Sequence, residues 1–228
     1  MEVPAKNLGI FEGKRAHNYD NFEKQWLPNY PYFMSMLPRL FEGTTDKNML
    51  SVGCGTGTEI QHLKDADDTW SFMAVDPSPE MIQLARKKLE KYGDIQFFEG
   101  YVDGLPLQPL YGAATLVLVL HFIKYPNERL ALLTEIQKRL KPGATFVLMG
   151  IFGSRQDIRN NLEILRLLLP TDVPETEIEE RLERIKRDLH LTSEEELNKL
   201  LVRAGFEPPT RFFQTSIYSA WTTKKSET

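Results

Sequence analysis

The stretch that decides the fold of this chain is Leu50-Ser51-Val52-Gly53-Cys54-Gly55-Thr56-Gly57-Thr58-Glu59. An apolar run from Met49 to Val52 ends in three glycines at alternate positions, and an amphipathic helical pattern then begins with Ile60 and Leu63. This order predicts a β-strand, a tight turn and a helix. Glycines at such a turn allow positive φ and a close approach of a ligand to the backbone. The open N–H groups at the start of the helix then face that ligand.

The spacing of the glycines narrows the class of ligand. A dinucleotide fingerprint, G-x-G-x-x-G, would place its third glycine at position 58, which is Thr58 here. The third glycine comes one residue earlier, at Gly57, and such a turn suits a nucleoside that carries an amino acid and no phosphate. After the helix, residues 70–75 are predicted to form a second strand with Asp76 at its tip. A carboxylate there can accept hydrogen bonds from both ribose hydroxyls.

Five motifs in order give the chain a resemblance to a known family. The glycine turn and Ala74-Val75-Asp76 resemble the first two motifs of class I S-adenosylmethionine (SAM) dependent methyltransferases. Residues 98–106, 118–122 and 139–144 fit the later motifs, and the ordered match runs from about residue 48 to residue 152. The resemblance implies SAM as cofactor, with S-adenosylhomocysteine as product. It also implies a Rossmann-like, doubly wound α/β sheet of seven strands, mostly parallel with the last strand antiparallel.

The resemblance further implies which residues border the cofactor. The glycine turn and the tip of the second strand supply most of the predicted cofactor-binding residues, which are Gly53, Cys54, Gly55, Thr56, Gly57, Asp76, Pro77, Ser78 and Met81. Val117 and Leu118, at the end of the fourth strand, would face the sulfonium. Tyr19 and Tyr30 are candidates for an N-terminal lid over the pocket. The alternative is that these aromatic side chains only cover the sheet edge.

The contact to the adenine ring departs from the family pattern. Many relatives have an acid directly after the glycine that follows the third strand, and it accepts a hydrogen bond from the adenine amino group. Here that position is Tyr101. Either Asp103 takes over this contact, or Tyr101 and Val102 only flank the ring.

One histidine lies at the predicted methyl-transfer end of the pocket. Residues 113–120 are a continuous apolar run, which predicts a central parallel strand buried on both faces. His121 follows it and is the one titratable side chain there, so it is the catalytic candidate, as a general base. The alternative is a histidine held by packing and a backbone hydrogen bond.

The remaining pattern divides the chain into four segments. We expect an N-terminal helical lid segment over residues 1–45, which includes Phe11, and a SAM-binding core over residues 46–152. Within the core, residues 126–140 are predicted to be a helix and residues 145–151 the fifth strand. Residues 153–191 are predicted to be a helical insertion that roofs the substrate pocket or forms a homodimer contact. Residues 192–228 then supply a last helix, begun by a capping box of Thr192 with Glu195, and an antiparallel strand pair.

Composition limits the partners. The chain has 228 residues, a net charge of −4, one cysteine and four histidines. This charge gives no basic surface of the kind that nucleic acid requires, and the scattered histidines show no metal-ligand spacing. There is no apolar run of membrane length, so we expect a cytoplasmic protein that acts on a small-molecule substrate, with nucleic acid disfavoured and no membrane partner.

The predicted function is methyl transfer from SAM to an unidentified small-molecule acceptor. One alternative is an enzyme similar to the carboxy-SAM synthases of tRNA wobble modification, which the N-terminal layout and the helical insertion resemble. In that group an arginine of the inserted helices holds the new carboxylate, and Arg181 and Arg184 lie in the corresponding stretch. The other alternative is a SAM-binding protein that does not catalyse transfer.

Overall fold

A computed structural model describes residues 13–227 of the chain, so that residues 1–12 of the predicted lid segment, with Phe11, and Thr228 lie outside the described residues. The described part contains a seven-stranded sheet with the order β3-β2-β1-β4-β5-β7-β6. The strands are β1 (Asn48–Val52), β2 (Ser71–Asp76), β3 (Ile95–Glu99), β4 (Tyr111–Val117), β5 (Leu140–Ile151), β6 (Thr210–Thr215) and β7 (Tyr218–Lys224). Only the two pairings of β7 are antiparallel. The predicted Rossmann-like sheet, with its antiparallel last strand, is confirmed.

Helices cover both faces of this sheet. They are α1 (Lys14–His17), α2 (Tyr19–Trp26), α3 (Tyr30–Leu40), α4 (Thr58–Ala66), α5 (Pro79–Lys88), α6 (Pro126–Lys138), α7 (Arg155–Leu168), α8 (Glu175–Asp188) and α9 (Glu194–Arg203). Successive residues of a strand point to opposite faces, so Met49 and Leu50 of β1 belong to two different buried clusters. One cluster contains side chains of α2 to α5, α7 and α8, and the other contains those of α6 and α9.

The sheet reverses its strand order between β1 and β4, and this reversal positions the site. From β1 the chain proceeds outward through β2 and β3, then returns to place β4 on the other side of β1. In open α/β sheets the crevice at the carboxyl ends of the strands at such a reversal is where ligands bind. The residues that follow β1, β2 and β4 therefore meet at one place.

The fourth strand is shorter than predicted. It ends at Val117, whereas the apolar run predicted a strand to residue 120. Leu118 has a φ of +60°, although its backbone N–H still donates to the carbonyl of Met149 at 2.8 Å. This left-handed residue turns the chain out of the sheet, and residues 120–122 form a short 3-10 helix. The apolar run extends beyond the strand because Leu120 is buried in that turn, as is His121 after it.

The fifth strand is longer than predicted, and the helix before it is shorter. Helix α6 ends at Lys138, and β5 begins at Leu140 instead of residue 145. The stretch Lys141-Pro142-Gly143 lies within the strand. Cross-strand bonds hold this part of the chain in the sheet: Tyr111 N donates to Arg139 O at 2.8 Å, and Gly143 N, at a φ of +72°, donates to Lys225 O at 3.0 Å.

Helix capping agrees with the sequence at one end and differs at another. Ser78 caps α5, in keeping with the preference for serine at this position, and accepts from Met81 N at 3.2 Å, with Pro79 at the first helical position. The capping box predicted for Thr192 and Glu195 is wrong. Ser193 caps α9 instead, accepting from Glu196 N at 3.1 Å, because Thr192 pairs with Phe152 through a β-bridge.

The insertion after β5 forms two packed helices, α7 and α8. Their inward residues join the same buried cluster as the N-terminal helices, and these residues are Ile158, Leu162, Leu165, Ile178, Leu182 and Ile185. The insertion is therefore part of the core on that face, while its role as substrate roof or dimer contact stays a prediction. Among residues 13–227, no helix combines the length and apolar character that crossing a membrane requires. The same residues contain no cluster of His, Cys, Asp or Glu that could hold a metal ion.

Two leucines of α7 test this packing. We expect Leu162→Ala to lower the free energy of unfolding by about 2 to 5 kcal/mol, because Leu162 is 0% exposed and its loss leaves a cavity. Leu167 is 78% exposed, so Leu167→Ala should change it by less than about 0.5 kcal/mol. Urea denaturation followed by circular dichroism measures both. Equal effects of the two substitutions would contradict the observed orientation of α7.

Candidate active site

The turn between β1 and α4 strongly favours glycine at its key positions. Gly53, Gly55 and Gly57 have φ values of +67°, +52° and +81°. A Cβ at Gly53 would lie 2.3 Å from Val119 Cγ2, and one at Gly57 would lie 2.6 Å from Leu89 Cδ1. The turn is tied to β2, because the N–H groups of Gly53 and Cys54 both donate to the Val75 carbonyl.

A cavity opens above this turn, at the carboxyl ends of β1, β2 and β4. Ten of the predicted cofactor residues line it: Tyr19, Gly53, Gly55, Asp76, Pro77, Met81, Tyr101, Val102, Val117 and Leu118. The structure thus brings together residues that are almost one hundred positions apart in sequence. Which of them contact a cofactor stays a prediction.

The other predicted residues lie outside the lining of this cavity. Cys54 is buried in the turn, where burial raises the pKa of its thiol. Gly57 faces Leu89 and Ala85 of the α5 region, and Ser78 caps α5. Thr56 donates to the Asp20 carboxylate of α2.

Six residues that line the cavity were not among the predicted site residues: Val52, Val75, Gly100, Val119, Phe122 and Leu132. Val119 and Phe122 lie in the stretch that resembles the fourth motif, so the resemblance indicates that they lie near the cavity. Leu132 belongs to α6, and helical periodicity alone does not indicate that this position lines a cavity.

Asp76 is a buried carboxylate that the backbone holds in place. Its Oδ2 accepts from Gly55 N and its Oδ1 from Ser78 N, each at 2.9 Å. Burial raises the pKa of Asp76, while the two N–H groups act in the opposite direction. The side chain therefore bridges the glycine turn and the start of α5, with its carboxylate at the cavity wall.

Helix α2 packs on the glycine turn, and polar contacts through Lys88 of α5 connect the two. Lys88 Nζ lies 2.6 Å from Asp20 Oδ2 and donates to Thr56 Oγ1 at 2.7 Å and to Thr58 Oγ1 at 3.1 Å. The Tyr19 ring lies over Gly55, with its Cε1 3.7 Å from where a Cβ would stand. These contacts hold α2 against the glycine turn at the edge of the cavity, and its role as a lid stays a prediction.

Tyr30, the second predicted lid residue, is buried inside the segment and does not line the cavity. Its hydroxyl donates to Glu23 Oε1 at 2.8 Å, and its ring stacks on Phe33 with centroids 6.2 Å apart. Tyr19 also hydrogen-bonds Glu23. Of the two tyrosines, Tyr19 thus lines the cavity, and its contact with a cofactor stays a prediction, while Tyr30 has the covering role that the alternative interpretation gave it.

Two glutamates are buried close to the glycine turn. Burial raises the pKa of Glu23 to about 8, against the effect of the hydrogen bond from Tyr30. Burial likewise raises the pKa of Glu59 to about 7, against the hydrogen bond that its carboxylate accepts from Ser51 Oγ at 2.6 Å. Each carboxyl group also raises the pKa of its neighbours by charge repulsion. The lid and the turn thus enclose an acidic, poorly solvated region.

The structure favours one of the two adenine hypotheses. Tyr101 and Val102 line the cavity. Asp103 is exposed in the 3-10 turn that follows β3 and is not part of that lining. Residues flanking the ring therefore fit this geometry better than a new acidic contact from Asp103.

His121 has the surroundings of a packed histidine. Its Nδ1 accepts from Ile151 N at 3.4 Å, and its carbonyl accepts from His190 N at 3.2 Å. Burial, with the nearby charges of Arg181 and Arg129, lowers the pKa of its imidazole to about 3. The side chain is neutral at ordinary pH and is absent from the cavity lining, which favours packing over general base catalysis.

Arg181 of α8 joins three parts of the fold. Its guanidinium lies 4.0 Å from the centroid of the Phe22 ring and 5.5 Å from that of Trp26, both on α2. It also hydrogen-bonds Tyr218 of β7. These contacts connect the insertion to the lid and the sheet. The sequence placed Arg181 in the insertion but carried no signal for these partners.

Comparison with known proteins agrees with the geometry. Residues 49–143 match the family model described as a methyltransferase domain. Carboxy-S-adenosyl-L-methionine synthase from Escherichia coli O127:H6 is 25% identical over 242 residues, which cover 100% of this chain and 96% of that protein. The corresponding synthase of Shigella boydii serotype 4 matches equally well, with 25% identity over the same lengths.

Solved structures show the same fold. Human N-acetylserotonin methyltransferase in complex with SAM superposes with a TM-score of 0.59 at 18% identity, over 98% of this chain and 60% of the human chain. The chain thus spans about three fifths of that enzyme. A SAM-bound amino pentose methyltransferase from Micromonospora echinaspora gives a TM-score of 0.66 at 15% identity, over 91% of this chain and 96% of that one.

These findings describe what the chain resembles. Residues 49–143 match a methyltransferase domain, and the seven-stranded sheet has the Rossmann-like fold of the SAM-dependent methyltransferases compared above.

Gly53 provides a direct test of the turn. We expect Gly53→Ala to lower the free energy of unfolding by about 1 to 3 kcal/mol, because the new Cβ meets Val119 and the residue must keep a positive φ. Gly93→Ala is the matched control, since a Cβ there has nothing within 4 Å. Urea denaturation of both variants measures the difference. A Gly53→Ala protein as stable as the control would contradict the close approach to Val119.

The buried glutamates predict a dependence of stability on pH. When folding raises the pKa of an acid, that acid contributes fully to the free energy of unfolding only below the pKa it has in the unfolded chain. The contribution is lost as the pH rises through the pKa of the folded protein. For Glu23, with a folded pKa of about 8, the loss continues between pH 6.5 and 8.5. We expect wild type to lose on the order of 1 to 2 kcal/mol more than Glu23→Gln over this window. Parallel stability curves, measured by urea denaturation, would contradict the burial of an ionisable Glu23.

Proposed function

We propose that the protein transfers a methyl group from SAM to a small-molecule acceptor. The observation that carries this proposal is that the glycine turn, the Asp76 carboxylate and the end of β4 all line one cavity. The ribose hydroxyls require a hydrogen-bond acceptor, the amino-acid part an unobstructed backbone, and the methyl group of the sulfonium a wall that excludes water. The residues present therefore fit SAM.

The roles of the residues follow from their positions. Asp76 would accept hydrogen bonds from the ribose hydroxyls, as a carboxylate at the tip of the second strand does in nucleotide-binding folds. Tyr101 and Val102 would flank the adenine. The glycine turn has no side chains to obstruct the part of the ligand that lies across it.

The end of β4 would form the wall at the reacting methyl group. Val117, Leu118, Val119 and Phe122 give this part of the cavity an apolar lining that excludes water. The positive φ of Leu118 is a backbone conformation of the kind that is retained at functional sites. SAM supplies a methyl group already activated on a positively charged sulfur, so the protein contributes mainly alignment and no catalytic dyad is needed. The neutral His121 agrees with this requirement.

The proposal also includes a small-molecule acceptor, a homodimer and a cytoplasmic location. A small acceptor is supported by the cover that α2 forms over the turn and by the net charge of −4, which disfavours nucleic acid. A homodimer through the insertion is supported by Ile164, Leu167 and Leu168, which are exposed on α7. A cytoplasmic location remains the expectation from the sequence.

One observation favours a second candidate, a carboxy-SAM synthase activity. The named synthases match the chain over its whole length, beyond the methyltransferase domain, at 25% identity. Arg181 extends from the insertion toward the lid aromatics and is a cation from an inserted helix, as the resemblance requires. A third candidate is SAM binding without transfer.

Mass spectrometry of small molecules released from freshly purified protein separates these candidates. SAM or S-adenosylhomocysteine in the extract, with micromolar binding of both by calorimetry, supports the proposed cofactor, and a screen of acceptors then tests transfer. A mass corresponding to carboxylated SAM would favour the second candidate. Binding without turnover of any acceptor would favour the third, and absence of binding would contradict all of them.

Asp76 tests the cofactor pose. We expect Asp76→Asn to weaken S-adenosylhomocysteine binding roughly 10- to 100-fold, because hydrogen bonds to a charged acceptor contribute about 1.5 to 3 kcal/mol. Asp172→Asn is the control, since Asp172 is an exposed carboxylate of the insertion. Calorimetric titration of the two variants at pH 7.5 measures the ratio. Equal affinities would remove Asp76 from the proposed binding site.

A further inference from the structure

Helix α2 brings a buried carboxyl group to one end of the cavity. Glu23 is 4% exposed and accepts hydrogen bonds from Tyr30, at 2.8 Å, and from Tyr19. Tyr19 itself lines the cavity. The Glu23 carboxyl group is therefore one hydrogen bond behind the cavity wall, on a segment outside the methyltransferase domain at residues 49–143.

The direction of the ligand in the cavity brings its amino-acid end to this place. With the ribose at Asp76, the adenine extends along β3 toward Tyr101 and Val102. The remainder of the ligand must then leave in the opposite direction, across the glycine turn. Tyr19 covers Gly55 of that turn, and Glu59 lies in the first turn of the helix that follows. The α-amino and α-carboxylate groups of the methionine part would thus lie beneath α2.

The charges that surround Glu23 select between those two groups. Among the ionisable side chains that face it are Tyr19, Asp20, Tyr30, Glu59 and Lys88. Lys88 directs its ammonium to Asp20, at 2.6 Å. The charge of Glu59 raises the pKa of Glu23, and that of Asp76 raises the pKa of Glu59, so the region attracts positive charge and repels negative charge.

We propose that Glu23 binds the α-ammonium group of the methionine part of SAM, which replaces Tyr19 as a hydrogen-bond donor to its carboxylate. This inference rests on the proposed function. It makes the lid a specificity element, which distinguishes SAM and its product from adenosine ligands that lack the amino acid. The ammonium keeps its own protons, and the proton that Glu23 loses on ligand binding passes to solvent.

Two ligands and one substitution test this role. S-adenosylhomocysteine carries the amino acid, whereas 5′-methylthioadenosine shares the adenosine and thioether and lacks it. We expect Glu23→Gln to weaken binding of the first roughly tenfold and to leave binding of the second unchanged within twofold, as measured by calorimetry at pH 7.5. Glu42→Gln, which removes an exposed carboxylate after α3, is the control and should alter neither affinity.

Proton release by wild-type protein gives a second readout that requires no variant. Titration of S-adenosylhomocysteine in buffers of different ionisation enthalpy should show release of about half to one proton at pH 7.5, because the bound ammonium favours ionised Glu23. Glu23→Gln should abolish this release. Proton uptake would mean that protonated Glu23 donates to the α-carboxylate, and it would overturn the inference.

The outcomes separate this inference from the proposed function. If S-adenosylhomocysteine binds wild type without proton release, or if Glu23→Gln weakens both ligands equally, the role of Glu23 is overturned and the proposed function is unaffected. If wild type binds neither ligand, the proposed function is overturned and the inference with it. Loss of folding in Glu23→Gln leaves the wild-type proton count as the decisive measurement.

Discussion

The close packing of Gly53 against Val119 is the constraint on which the rest of the site depends. The absence of a Cβ at Gly53 lets the end of β1 approach the chain that leaves β4. That approach brings the tip of β2, with Asp76, and the left-handed Leu118 to the walls of one cavity. A larger residue at Gly53 would separate these walls, because the contact involves a β-branched side chain in a packed region.

Much of the fold and part of the site could be predicted from local signals. Neighbouring residues in the sequence specify three features that the structure contains: the glycine turn, the acid at Asp76 and the serine cap of α5. Errors occurred where partners distant in sequence decide the conformation. Pro142 lies in a strand because Tyr111 and Lys225 pair with its neighbours, and Ser193 replaces Thr192 as a cap because of the bridge to Phe152.

The site shows the same division between local and distant information. Most of the ten predicted residues line the cavity because the motifs lie at strand ends, which the sheet brings together, whereas Tyr19 comes from α2. The partner of Tyr30 could not be predicted, since a tyrosine near a pocket gives no indication of which way its hydroxyl points. Glu23 has no sequence signal either: a glutamate on a short polar helix is normally solvated, and only the packing of α2 on the core buries it.

Arg181 has a consequence for how ligands enter and leave. Its guanidinium stacks on Phe22 and Trp26 of α2 and hydrogen-bonds Tyr218 in the sheet. Displacement of α2 from the glycine turn would break these contacts and also the ion pair of Asp20 with Lys88. Ligand exchange would then require a concerted opening of segments about 160 residues apart in the chain, with a barrier higher than that of a mobile surface loop. A ligand that leaves beneath α2 would depend on these contacts for its rate of release, independently of how fast the transfer step is.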